Sequence, residues 1–141
     1  MRESEVALPL DASAPSRARA FARTWLLEHD LEQLLDTVLL LTSEVVTNAL
    51  LHAGGAVRIA LVPMPGGGVR VEVCDDSPVQ PTRRRHSTSA TTGRGLRLLD
   101  DLAGDWGTDP TPPGKAVWFT VAADADPWAA FSGTDWMAEA E

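Results

Sequence analysis

The stretch Leu41-Thr42-Ser43-Glu44-Val45-Val46-Thr47-Asn48-Ala49-Leu50-Leu51-His52-Ala53 decides how the chain is read. From residue 31 to about 52, Leu34, Leu35, Val38, Leu39, Leu41, Val45, Val46, Ala49 and Leu50 cover most of a helical circumference, and Gly54-Gly55 supplies the stop. A helix apolar on nearly all sides is a central, mostly buried one. Glu44 and Asn48 interrupt it at i, i+4 spacing, which sets both on one face. A carboxylate in apolar surroundings is costly unless it is paired or faces a wet cleft. No Lys or Arg lies within a helical turn or two on this helix, so a cleft is the economical solution.

If that cleft holds a Mg-nucleotide, Asn48 supplies a neutral oxygen for a hard cation, and Glu44 can accept a proton from a water or hydroxyl that attacks the γ-phosphate. Bonds from the pair to neighbouring backbone or to the adjacent sheet account for the bare spacing equally well.

Outward from this helix, the β-branched runs 57–64 and 69–74 flank Pro63-Met64-Pro65-Gly66-Gly67-Gly68, a turn whose glycines supply the backbone angles of an antiparallel hairpin. Residues 6–10 read as a short strand. Ser13 and Pro15 then form the cap and first turn of a helix towards His29, with Ala18, Phe21, Ala22 and Trp25 as its apolar stripe. Residues 76–92 are polar and show neither period, which marks a long irregular lid-like segment. A helix resumes over 95–102 through Leu96, Leu98, Leu99 and Leu102. Trp106, Pro110 and Pro113 then punctuate a loop before a strand over 116–122. The reading is one domain over 1–123 followed by an acidic tail, 124–141, whose Trp128, Phe131 and Trp136 sit in what is most simply a frayed terminus.

Composition narrows the function. The chain has 141 residues, 44% hydrophobic and 23% charged, which suits one core. A formal net charge of -8 and a sequence pI near 4.7 exclude direct nucleic-acid binding, which needs a surplus of Lys and Arg. Cys74 is the only cysteine, so no intrachain disulfide forms, and His29, His52 and His86 lack metal-ligand spacing. Arg2, Glu3 and Glu5 do not begin an export signal, and no run reaches the roughly 18 apolar residues that span a bilayer. A soluble, cytoplasmic protein with no membrane role is expected.

Three further places carry candidate chemistry. Asp75 ends a strand, where a side chain can project over a pocket and accept from an exocyclic amine such as that of adenine; in isolation it reads as a turn-starting aspartate before Ser77-Pro78. Gly93-Arg94-Gly95 opens a helix whose free N–H groups and dipole suit a phosphate, although a Gly-x-Gly is also a common hinge. Arg83, Arg84 and Arg85, and separately Lys115, read first as solvated cations that would also steer an anion. Cys74 reads as a small core residue.

Taken in order, residues 41–53 quoted above, Asp75-Asp76-Ser77-Pro78, Gly93-Arg94-Gly95-Leu96 and Gly114-Lys115-Ala116-Val117-Trp118-Phe119 resemble the N, G1, G2 and G3 boxes of the GHKL, or Bergerat-fold, ATPases. Within that superfamily the chain is similar to the stand-alone anti-sigma-factor serine/threonine kinases, over roughly residues 10–122. The resemblance implies an α/β (α+β) two-layer sandwich, a mainly antiparallel sheet with helices on one face, binding ATP and Mg²⁺. It implies Glu44 as general base, Asn48 as Mg²⁺ ligand, Asp75 as acceptor of the adenine amine, and Gly93 and Gly95 as phosphate-side backbone. His52, Ser77, Arg94 and Leu96 fall in the same boxes as further nucleotide contacts. The chain departs from the common Asp-x-Gly-x-Gly pattern at Asp75-Asp76-Ser77-Pro78-Val79, where both glycines are missing.

The function expected from this resemblance is a kinase that binds ATP/ADP and phosphorylates an anti-anti-sigma (STAS-type) protein, sequesters a sigma factor, or both. It also suggests a homodimer. The alternative is a non-catalytic nucleotide-binding module that captures a protein partner. The nucleotide-binding piece of a phosphorelay histidine kinase is a remote third, since there is no room before residue 10 for a dimerisation helix pair.

Overall fold

The hairpin expected at the three glycines organises the sheet. In a computed structural model, which describes residues 4–52, 55–76, 93–112 and 114–124, strands β2 (Val57–Pro63) and β3 (Gly68–Asp75) pair antiparallel, with Val57 opposite Asp75 and Pro63 opposite Val69. Gly66, Gly67 and Gly68 all have positive φ, at 87°, 104° and 113°. A Cβ on Gly68 would also lie 2.8 Å from Ala122 Cα, so this position excludes a side chain twice over.

Alternation builds the core face. Val57, Ile59 and Leu61 on β2 and Val69, Val71 and Val73 on β3 are buried, while Arg58, Ala60, Arg70, Glu72 and Cys74 between them are only half-buried. The sheet has five strands in the order β1-β2-β3-β5-β4, with every neighbour antiparallel; β1 is Glu5–Leu8, β4 Asp105–Pro110 and β5 Lys115–Ala122. This is the α+β sandwich expected from the sequence.

Helix α1 (Ala14–Glu28) lies against β1 and β2, α2 (Leu35–His52) against β3, and α3 (Gly93–Leu102) against β4. Helix α2 therefore runs down the middle, between α1 and α3 and over the central strand. Ala14, Ala18 and Ala22 are fully buried, and their small side chains let α1 approach closely. Each fully buried Leu, Val or Phe contributes roughly 1.5–3 kcal/mol of transfer free energy, most of it offset by the cost of ordering the chain. The segment Glu32–Leu51 has a mean hydropathy of 1.5 and would be long and apolar enough to cross a bilayer. Here that apolarity is used against the sheet and two helices.

Two local expectations are corrected. Residues 105–110 form strand β4 rather than a loop: Trp106 is buried and its indole N–H donates to Asp100 Oδ1 at 2.7 Å, tying β4 to α3. Pro110 is tolerated because it is the last residue of an edge strand. Ser13 sits at the N-cap of α1, but its side chain makes no capping bond; instead its backbone N–H donates to Asp11 Oδ1 at 2.8 Å. Ser13's hydroxyl and then its backbone N–H hold the exposed Asp11 carboxylate below its ordinary value of 3.8.

Gly68→Ala is expected to destabilise the domain by roughly 1–3 kcal/mol or more in urea unfolding, with the hairpin register the first thing lost. For Asp11 the sign follows from its lowered folded value. The stabilisation is fully present above the unfolded value and is lost as pH falls through the folded one. Asp11→Asn should therefore reduce stability at neutral pH and converge with the parent chain in acid.

Candidate functional site

Helix α2 packs on β3, α1 and α3 and leaves Thr47 and Leu51 exposed, and the candidate site lies on its α3 side. With about 100° between successive residues, Val38, Leu41, Val45 and Ala49 point towards the sheet and core, where all four are buried. Ser43 faces α1, since Arg19 Nη1 on that helix donates to Ser43 Oγ at 2.9 Å. Glu44 and Asn48 lie about 100° and 140° further round, on the flank away from α1 and towards α3. Both are half-buried, and neither side chain makes a hydrogen bond or ion pair among the described residues. The bonds to backbone or sheet that would have given the pair a purely structural role are not made there.

Asp75 ends β3 on the same inner face as Val71 and Val73 and is 2% exposed. Directly opposite on β5 stands Lys115, whose ammonium lies 3.0 Å from one Asp75 oxygen and 3.2 Å from the other. Lys115 is itself buried, at 8% exposure, so its reading as a solvated cation is overturned. The inward phase of Phe119 and Val121, followed back two residues at a time, reaches position 115 and was the available signal. Asp75 as its partner required the strand register.

The pair shares one end of the sandwich with the end of α2. Beyond His52 the chain enters β2 at Val57, opposite Asp75. Gly55 passes so close that a Cβ there would lie 3.1 Å from Asp76 Cβ, and Asp76 N–H donates to Ala56 O at 3.2 Å. Asn48 is about one turn from that end of α2. Helix α3 reaches the same place: β4 runs from Asp105, opposite Thr120, to Pro110, opposite Lys115. The short link through Ala103 and Gly104, with Gly104 N–H on Thr120 O at 2.7 Å, holds the C-terminus of α3 at the Thr120 end. The N-terminus of α3, at Gly93, therefore points to the Lys115 end.

The structure thus gathers the flank of Glu44 and Asn48, the Asp75–Lys115 pair and the opening of α3 at one end of the domain. Gly93, Arg94, Gly95 and Leu96 form the first turn of α3 and His52 the last residue of α2, but their side chains are outside the described residues, as are Ser77 and Arg83 to Arg85 entirely. Trp128, Phe131 and Trp136 also lie outside them. Among the described residues no three His, Cys, Asp or Glu side chains gather to hold a metal. Cys74 is half-buried on the opposite face of the sheet rather than in the core. Burial pushes its thiol up, with Arg58 opposing and Glu72, Glu5 and Asp75 adding to the rise.

An antiparallel sheet with three helices on one face and a polar helix flank at the mouth of the layer is the frame of a GHKL-type ATP-binding domain. Residues 8–121 match the family model of the histidine kinase-like ATPase domain, and the chain belongs to that family. ATP binding is thereby its function class. A search of the curated proteins finds no match.

Asp75→Ala strands a buried ammonium and is expected to cost roughly 3–5 kcal/mol of stability. Replacing both partners, as Asp75→Leu with Lys115→Met, should recover most of that loss. Urea unfolding of the three proteins at neutral pH checks both.

Proposed function

We propose that the chain is an ATP-dependent serine/threonine protein kinase of the anti-sigma-factor type, with Glu44 as its general base. The observation that supports this most is the half-buried pair Glu44 and Asn48, unbonded among the described residues, on the α2 flank that faces α3 in an ATP-binding domain. Glu44 takes the proton of the attacking hydroxyl as the γ-phosphoryl leaves ATP. Asn48 contributes its side-chain oxygen to a Mg²⁺ that arrives on the nucleotide; such an ion keeps most of its shell as water and phosphate oxygen and needs no cluster of carboxylates. Asp75 accepts from the adenine amine, and Gly93 and Gly95 present backbone N–H groups at the helix start to the phosphates. Arg94, His52, Ser77 and Leu96 complete the nucleotide contacts. The phosphate acceptor is a cytoplasmic anti-anti-sigma (STAS-type) protein, and the nucleotide state governs the capture of a sigma factor. The working unit is a homodimer.

Two observations favour a second reading, a nucleotide-binding module that captures a partner without phosphoryl transfer. Asp75 is already engaged by Lys115, and the segment after it, Asp75-Asp76-Ser77-Pro78, lacks the glycines that let backbone approach a base closely.

Calorimetry with ATP and Mg²⁺, followed by transfer of labelled γ-phosphate to candidate STAS-type proteins, separates the two. In the kinase, Glu44→Ala lowers transfer by roughly 100-fold or more and leaves ATP binding within about two-fold, while Asn48→Ala loses the magnesium-dependent part of binding. Binding in the parent protein with no transfer that depends on Glu44 leaves the capture module as the function.

A further inference from the structure

The buried cation beside Asp75 has a consequence for base recognition. Asp75 and Lys115 stand opposite each other on neighbouring strands, both on the helix-covered face, with ammonium–carboxylate distances of 3.0 and 3.2 Å. Their side chains are 2% and 10% exposed, so little water competes for either group. A carboxylate removed from water is expensive unless a cation and hydrogen bonds compensate its charge. An ammonium that touches both oxygens constrains the direction in which the group faces. Lys115 is anchored in turn: it follows the tight turn of Thr111 to Gly114, where Gly114 N–H donates to Thr111 O at 3.1 Å and Thr111 N–H to Gly114 O at 2.9 Å.

We infer that Lys115 is a positioning residue for adenine: it holds the Asp75 carboxylate oriented towards the exocyclic amine, so that recognition of the base depends on a residue of the last strand that does not touch the nucleotide. This rests on the proposed role of Asp75 as the amine acceptor. It adds that the acceptor works as half of an ion pair. Without the ammonium, the carboxylate loses the contact that fixes both of its oxygens, and the amine loses its oriented partner. The rest of the nucleotide site is untouched, so the loss falls on the amine alone.

Calorimetric affinities of the full chain for ATP and for purine riboside 5′-triphosphate, which lacks the 6-amino group, test this. The wild type is expected to favour ATP by at least roughly 10-fold, as sites built to bond a polar group do. Lys115→Met should weaken ATP to the level of the analogue while the analogue binds as before. Lys115→Arg, which keeps the charge, should retain most of the preference. A folded Lys115→Met that keeps the wild-type preference overturns the role of Lys115 and leaves that of Asp75 standing. A wild type that binds both nucleotides equally overturns the role of Asp75, and this inference with it. If Lys115→Met does not fold by circular dichroism, Lys115→Gln takes its place; its preference should fall at least about threefold, and an unchanged preference overturns the inference.

Discussion

Everything in this domain follows from the need to bury helix α2. An 18-residue helix with this much apolar surface cannot face water, and the chain covers it with β3 beneath, α1 on one side and α3 on the other. That arrangement sets the order of the layers. On the side away from α1 the cover is partial, and Glu44 and Asn48 stay half-buried there without a hydrogen bond or ion pair among the described residues. Glu44 placed about 100° round the helix either way would take the position of Ser43, which bonds to α1, or of Val45, which is in the core. The candidate site is thus located by the packing of the apolar residues rather than by the polar ones.

The Asp75–Lys115 pair shows the opposite economy. Two charges held against a hydrophobic layer seldom stabilise a fold relative to apolar residues of similar size. They survive here at the end of two adjacent strands, where register sets them face to face and the β4–β5 turn fixes the cation. Such a placement adds little to stability and much to orientation. Trp106 has the complementary task at the other end of the sheet, where its bond to Asp100 locks α3 onto β4 and so fixes the direction in which α3 presents its first turn.

Local signals carried most of the architecture. The glycine turn, the alternation of Val57 to Leu61 and Val69 to Val73, and the all-round apolarity of α2 each report on neighbours within a few residues, and each matches the element that formed. Strand β4 was illegible because Gly107, Pro110 and two aspartates weaken every local strand signal; it exists because β5 offers an edge and Trp106 a place in the core. Lys115 was misread for the same reason. Its burial comes from a partner 40 residues away, and a single lysine between a proline-rich turn and a strand looks the same solvated or paired. The Glu44 and Asn48 spacing was visible in the sequence. That the two remain unbonded among the described residues was not, because a helix sequence does not state which neighbours stop short of it.

The charge balance constrains how such a site can hold its ligand. A chain of net charge -8 repels a nucleotide triphosphate during encounter, but screening over about 8 Å at physiological salt confines that effect to the approach and leaves the bound state to local groups. Arg58 and Arg70 are paired with carboxylates on the far face of the sheet and Arg19 donates to Ser43, while Lys115, at the end where the elements gather, is committed to Asp75. In the proposed kinase the electrostatics at the phosphate end would come from the opening turn of α3, from Arg94 and from the cation that the nucleotide brings. The proposed site thus sets affinity at the phosphates and discrimination at the base, in two parts built from different elements that a mutation can change separately.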